Sequence, residues 1–169
     1  YRQLRNPFPL MSVFSDDEAA HMHETALRIL EELGMRVLLP KARQIYAAAG
    51  ARVVDDMVYI GREIVSAALA SAPRKIHCHA GNPARDVVLE LGGLAFQPGA
   101  GAPNATDLVR GRRSGSAQDF IEYTRLGQHF DVFHMMSPSV EPQDVPTHLR
   151  HYFTLATQME HSDKFPFLF

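Results

Sequence analysis

The chain has 169 residues, of which 46% are apolar and 21% charged, with a net charge of −2 at neutral pH. That length supports one ordinary domain with a real core. The charge balance gives no electrostatic case for a nucleic acid or an anionic membrane as partner, and no run approaches the roughly 18 apolar residues that span a bilayer.

The stretch "RNPFPLMSVF" (Arg5 to Phe14) is Pro-rich and apolar and reads as an extended arm. Ser15 followed by Glu18 is a capping box, and Asp16 and Asp17 suit the positive end of the next helix. Met22, Ala26, Ile29, Leu30 and Leu33 give that helix an apolar stripe, and Gly34 closes it. Pro40 opens a second helix, "KARQIYAAAG", ended by Gly50. "ARVVDDMVYI" reads as a hairpin turning at Asp55-Asp56. "GREIVSAALASAP" is a third helix stopped by Pro73. "KIHCHAG" and "DVVLELGG" alternate as strands around the turn "AGNPAR".

The pattern changes after Gly93. "GLAFQPGAG" is an unalternating apolar run, as expected of a strand buried on both faces. "SAQDFIEYTRLGQHF" is then a helix, "DVFHMMSPSV" a second buried strand, and "EPQDVPTHLRHYFTLATQMEHS" a loop leading into a second helix. This β-α-β-α order points to a parallel sheet or barrel, with functional loops at the C-terminal ends of the strands. The expected division is a mixed α+β extension over residues 1–93 and two βα units over 94–169. The chain begins at Tyr1 without methionine and ends in "SDKFPFLF", so it is expected to be a fragment. A lone cysteine, Cys78, excludes an internal disulfide and fits a reducing cytoplasm.

The stretch "PGAGAPNATDLVRGRR" (Pro98 to Arg113) concentrates conformationally special residues directly after the first buried strand. A phosphate-binding P-loop would need Lys-Ser or Lys-Thr after its last glycine, and none is present. Gly99 and Gly101 supply half of a dinucleotide fingerprint, but Pro103-Asn104 occupy the remainder. The other reading is a turn that holds backbone amides and the Asn104 and Asp107 side chains where barrel enzymes place ligands. "SPSVEPQDVP" is the matching loop after the second strand. Pro138, Pro142 and Pro146 pre-organise Glu141 and Asp144 within it. An acidic mouth with Phe96, Tyr123 and Phe133 nearby suits a cation, because carboxylates and ring faces both attract quaternary ammonium. His77 with His79, and His148 with His151, have spacings that occur in zinc sites, but no Cys pair or H-E-x-x-H supports a metal. His148 and Arg150 are expected to position the acidic loop, and Arg110, Arg112 and Arg113 to form a solvated rim.

The segments "ALRILEELGMRV", "HAGNPARDVVL", "FQPGAGAPNATDLVRGRR", "DFIEYTRLGQHFD" and "SPSVEPQDVPTHLRHYFTL", with the later "SDKFPF", together resemble the trimethylamine methyltransferase family. The resemblance runs almost from end to end. It implies an N-terminal α+β extension followed by a TIM (β/α)8 barrel, of which a chain this long holds only the first part, since a barrel needs about 250 residues. It also implies methyl transfer from trimethylamine or a quaternary amine such as glycine betaine to the cob(I)alamin of a separate corrinoid protein. No D-x-H-x-x-G cobalamin-anchoring motif is present, so the cofactor is expected to arrive on that partner. Phe96, Gln97, Gly99, Gly101, Asn104, Asp107, Glu141 and Asp144 are the candidate substrate-binding residues. No catalytic residue and no metal ligand is assigned. The rival readings are a non-catalytic relative that binds betaines or a corrinoid protein, and a nucleotide-dependent enzyme built around Gly99 to Asn104. A homo-oligomer is possible.

Overall fold

Capping, turn and proline signals set most of the element boundaries in the computed structural model of the chain, which describes residues 2–9 and 11–168. In chain order the elements are β1 (Leu4–Arg5), α1 (Asp16–Arg28), β2 (Met35–Arg36), α2 (Pro40–Ala48), β3 (Arg52–Val54), β4 (Met57–Tyr59), α3 (Arg62–Ser71), β5 (Lys75–Cys78), β6 (Val87–Glu90), β7 (Gly93–Leu94), β8 (Asn104–Asp107), β9 (Gly111–Ser114), α4 (Ala117–His129) and α5 (Arg150–His161). The arm up to Phe14 contains no helix, and Leu10 within it lies outside the described residues. The chain forms two compact units, Leu10–Pro73 and Tyr1–Pro9 with Arg74–Phe169.

In the first unit Ser15 and Glu18 form the reciprocal cap expected from the sequence. The Ser15 hydroxyl oxygen accepts the Glu18 N–H at 3.3 Å, and the Glu18 carboxylate accepts the Ser15 N–H at 2.8 Å. The helix widens into a π turn at Ile29–Leu33, where the Gly34 N–H bonds the Ile29 carbonyl at 2.9 Å. The expected apolar stripe is placed differently. Leu27 is buried, whereas Met22, Ile29 and Leu33 are exposed. The π turn inserts an extra residue in the last turn and rotates the residues after Arg28 about the axis. The three strands pair antiparallel in the order β2-β4-β3. The β3–β4 hairpin turns at Asp55, whose φ of 54° sits in the left-handed region that Asp tolerates. Ala51, Val58 and Ile60 form the core with Leu30, Tyr46 and Ile64 packed around them.

The second unit opens with the antiparallel β5–β6 hairpin, in register Cys78↔Val87 to Lys75↔Glu90. β7 pairs antiparallel with β1. Beyond it three extended segments lie side by side, around residues 95–102, 133–141 and 164–168. The His134 and Met135 N–H groups bond the Phe96 carbonyl at 2.8 and 3.2 Å. The Glu141 N–H bonds the Ala102 carbonyl at 2.9 Å, and the Met136 N–H bonds the Phe165 carbonyl at 2.9 Å. The bridges Ala102↔Val140 and Met135↔Phe165 are parallel. Helix α4 connects the first segment to the second and α5 the second to the third. The expected buried strands are therefore extended chain joined by isolated bridges. Pro98, Pro103, Pro138 and Pro142 have no N–H to give a continuous ladder. The third segment comes from "SDKFPF" and extends the parallel arrangement one step past the two units expected from the pattern.

Two cores flank this layer. Cys78, Val87 and Met135 pack with Leu89, Phe165 and Phe167 beneath it, and burial pushes the Cys78 thiol above its usual range. Ala105, Phe120 and Val140 pack with Tyr123 and Phe153 against the helices. A polar knot locks the hairpin turn to the end of α4. Asp163 accepts from Gln128 at 2.8 Å and Asn82 at 3.1 Å and pairs with Arg85 at 3.1 Å. Lys164, 1% exposed, donates to the carbonyls of Gly127 at 2.7 Å and Phe130 at 2.6 Å, so its charge meets the negative end of the helix.

Replacing Lys164 by Met keeps the volume but takes the ammonium from the buried Gly127 carbonyl and leaves the Phe130 carbonyl only the Phe133 N–H at 3.2 Å. K164M should lower stability by about 1–3 kcal/mol, read as a lower urea midpoint. An unchanged midpoint would mean that water or a relaxed helix end replaces the ammonium.

Candidate functional site

Two loops leave the C-terminal ends of the first two parallel segments, residues 98–116 and 138–149. The first contains the β8–β9 hairpin, where the glycine-rich pattern suggests an open loop. The hairpin has its own local signal: Asp107 precedes a Leu-Val-Arg tip, and Gly111 follows at φ 67°, where a side chain would be strained. The Asp107 carboxylate accepts the N–H groups of Val109 and Arg110 at 3.0 and 2.7 Å and pairs with Arg110 and Arg113 at 2.7 and 2.8 Å. The Arg110 peptide N–H, then the Val109 N–H and the Arg110 guanidinium, draw this carboxyl down to about 2 from 3.8 against opposing desolvation.

The two loops are stitched into one bracket. The Gly101 N–H bonds the Pro138 carbonyl at 2.9 Å, and the Gly115 N–H bonds the Pro103 carbonyl at 3.0 Å. The Gln143 N–H bonds the Gly115 carbonyl at 3.0 Å, while its side-chain amide donates to the Pro103 carbonyl. Ser137 donates its hydroxyl to the Pro98 carbonyl at 2.7 Å. Asp144 accepts the Ala117 N–H at 2.7 Å and so caps the start of α4 from the other loop. Arg150 holds the second loop through the Val145 carbonyl at 2.9 Å and the Gln143 carbonyl at 3.3 Å, as expected of a positioning role. The side chain of His148 is exposed.

The basic cluster is braced rather than a free rim. Arg113 pairs with Asp119, whose side chain is 2% exposed, and Arg110 pairs with Glu122 at 2.8 Å. Burial alone would raise the Asp119 carboxyl, yet Ser116 and Arg113 outweigh it and hold it below the usual range. Arg112 is exposed.

The eight candidate residues fall into distinct places. Gln97, Gly99 and Asn104 share the wall of an open, mainly apolar cleft of about 730 Å³ beside α4, with Tyr123, Phe130 and Phe133 among its rings. Leu126 and Phe130 of that wall carry no sequence signal beyond helical spacing. Phe96 is not on that wall. It stacks on buried His134 with ring centroids 5.8 Å apart and donates its N–H to His134 Nδ1 at 3.1 Å. Gly101 sits in the stitch between the loops. Asp107 belongs to the hairpin turn, Asp144 to the helix cap, and Glu141 lies beside Arg150, with 3.8 Å between charged atoms. The acids are thus not gathered on the cleft wall that carries Asn104. Among the described residues no group donates a hydrogen bond to the Glu141 carboxylate. Nor do any three His, Cys, Asp or Glu side chains among them gather as a metal site.

A family model described as trimethylamine methyltransferase (MTTB) matches residues 1–169. The chain is 32% identical over 157 residues to a glycine betaine methyltransferase of Desulfitobacterium hafniense (strain Y51), covering 92% of this chain and 33% of that protein. It is 29% identical over 137 residues to the trimethylamine methyltransferase MttB of D. hafniense (strain DSM 10664 / DCB-2), covering 78% and 27%. It is 25% identical over 124 residues to an L-carnitine:corrinoid methyltransferase of Eubacterium limosum, covering 73% and 25%. The chain therefore spans a third or less of the length of these relatives.

Two substitutions separate the stitch from ordinary packing. A Cβ on Gly115 would lie 2.5 Å from both the Glu141 carbonyl oxygen and Val140 Cγ2, so Gly115→Ala should cost about 1–3 kcal/mol in a denaturant titration. A Cβ on Gly127 would meet the movable end of Met136 at 2.8 Å, and Gly127→Ala should cost less than Gly115→Ala. The reverse order would show that the loops part freely. Asp107 offers a test by pH. Its folded value is depressed, so its support is complete above the ordinary value of 3.8 and is lost as pH falls through about 2. The Val109 and Arg110 amide shifts should titrate with a midpoint near 2, and Asp107→Asn should abolish that titration.

Proposed function

The chain belongs to the trimethylamine methyltransferase family, and from that premise we propose that the full-length protein moves a methyl group from a methylated amine to the cobalt of a corrinoid carried by a separate protein. The observation that carries this reading is the family match along the whole chain, together with three relatives that are each named as a methyltransferase. Their named substrates, glycine betaine, trimethylamine and L-carnitine, share a nitrogen bearing three methyl groups. We take the substrate to be of that class. A quaternary member is favoured chemically. Its C–N bond breaks with the electron pair going to nitrogen, so a neutral tertiary amine departs, and the cobalt(I) lone pair forms the new Co–C bond.

We treat the corrinoid as the second substrate, delivered by its carrier; the relative named as an L-carnitine:corrinoid methyltransferase supports that reading. What this chain contributes is placement. We read residues from 94 onward as the first part of a (β/α)8 barrel. Three parallel segments crossed by α4 and α5 support that reading, with the stitched loops at their C-terminal ends. Glu141 is the residue we assign to the cation. Asp107 and Asp144 are committed to backbone N–H groups, while the Glu141 carboxylate accepts no hydrogen bond among the described residues. Gln97 and Asn104 are assigned to the polar end of the substrate, and Gly99 and Gly101 to close backbone approach. Phe96 is assigned to bracing its segment against His134 rather than to contact with the substrate. We place the protein in the cytoplasm, where its single cysteine stays reduced. No helix among the described residues is long and apolar enough to cross a membrane.

The test mixes full-length protein with cob(I)alamin and, in turn, trimethylamine, glycine betaine and carnitine. The expected result is an amine-dependent change of the cob(I)alamin spectrum to that of methylcobalamin, with the demethylated amine released. Binding by calorimetry without any spectral change would instead favour the non-catalytic relative. In the active protein, Glu141→Gln should raise KM for a quaternary amine about tenfold while changing kcat less, as expected for lost ground-state binding. An unchanged KM would remove Glu141 from the site.

A further inference from the structure

Arg150 is the first residue of α5, and three of its nitrogens are aimed at one turn of the second loop. Nε donates to the Val145 carbonyl at 2.9 Å and Nη2 to the Gln143 carbonyl at 3.3 Å. The third, Nη1, stops 3.8 Å from Glu141 Oε2. The first two contacts fix the plane of the guanidinium, since two backbone carbonyls accept from adjacent edges of one rigid fork. The third distance is too long for a hydrogen bond, so it orients the carboxylate by charge without capturing its lone pairs. The pair is neither deep nor free: the Arg150 side chain is 25% exposed and that of Glu141 39%. The same turn is tied to the first loop by the Glu141 and Gln143 N–H groups, on the Ala102 and Gly115 carbonyls at 2.9 and 3.0 Å. A shift of the Arg150 fork therefore has one soft outlet, the Glu141 side chain.

We propose that Arg150 is the positioning residue of Glu141, setting the direction of its carboxylate and thereby how tightly the site holds a quaternary ammonium. The proposal rests on the proposed function, in which Glu141 faces the substrate cation. A lysine at this position reaches one acceptor at a time and carries no fixed plane, so it restores the charge and only part of the geometry.

The experiment is a double-mutant cycle in the full-length protein, reading the calorimetric Kd for glycine betaine beside KM and kcat. Arg150→Met should weaken binding about tenfold with a smaller change in kcat, and Arg150→Lys should recover part of it. In the Glu141→Gln background the same Arg150→Met change should alter Kd less than about threefold, because the group it positions is gone. A merely structural arginine would give equal losses in both backgrounds, and that result overturns the proposal. So does an unchanged Kd in Arg150→Met. Should Arg150→Met fail to fold, Arg150→Lys in the two backgrounds carries the same comparison. Amide exchange over residues 143–147 gives a readout that needs no ligand: it should rise in Arg150→Met, and unchanged exchange would overturn the clasp. Wild-type protein that neither binds nor demethylates any methylated amine sinks the reading of the site itself. Wild-type binding with additive mutant losses sinks only the role given to Arg150.

Discussion

Proline withholds backbone donors where the second unit most needs them, and much of its architecture answers that deficit. Pro98, Pro103, Pro138 and Pro142 lie along the two paired segments and their C-terminal loops. Each removes an N–H and leaves a carbonyl that still needs a partner. The partners come from elsewhere in the same bracket. Ser137 serves the Pro98 carbonyl, Gly115 and Gln143 the Pro103 carbonyl, Gly101 the Pro138 carbonyl and Val145 the Pro142 carbonyl. A sheet ladder would have used only neighbouring backbone. Here several bonds run from one loop to the other, so the loops fold as one rigid piece.

That dependence explains which parts are legible in the sequence. Signals confined to a few consecutive residues agree with the structure. The Ser15–Glu18 cap, Pro40 at a helix start, the turn at Asp55 and the β5–β6 hairpin each depend on local chemistry. The β8–β9 hairpin is also local, but an acid beside a glycine-rich loop looks the same whether it closes a turn or faces a ligand, and Asp107 closes a turn. The stitches are not legible. Nothing in "EPQDVP" states that Gln143 reaches Pro103, 40 residues earlier, or that Asp144 caps a helix 27 residues earlier. The outward face of Ile29 and Leu33 escapes the pattern for a further reason: the π turn shifts the helical phase, and periodicity assumes a constant one.

The acids show how structure divides residues that look alike in a sequence. Asp107, Asp119, Glu141 and Asp144 all lie on or beside the two loops. Asp107 closes a turn, Asp119 is buried against Arg113, and Asp144 caps α4. Each is held by N–H donors. None can turn to a ligand without loosening a structural bond. Glu141 differs in having no hydrogen bond to its carboxylate among the described residues and a loose ionic neighbour.

A trimethylammonium group has no N–H to donate, so a site built around hydrogen bonds gains nothing from it and loses the water it displaces. Attraction to such a cation comes from uncommitted charge and from ring faces, both of which act without directional bonds. A carboxylate already accepting backbone N–H groups would have to release them, at about 1–3 kcal/mol for each donor left buried. A carboxylate oriented by charge at 3.8 Å gives up nothing comparable. Freedom alone would not suffice, because an unrestrained glutamate would lose side-chain entropy on meeting the ligand. A fork anchored on two carbonyls and stopping short of contact resolves the two demands: it limits where Glu141 can go and leaves its oxygens open. On the proposed reading, the strength of cation binding then depends as much on the carbonyls of Gln143 and Val145 as on the acid itself.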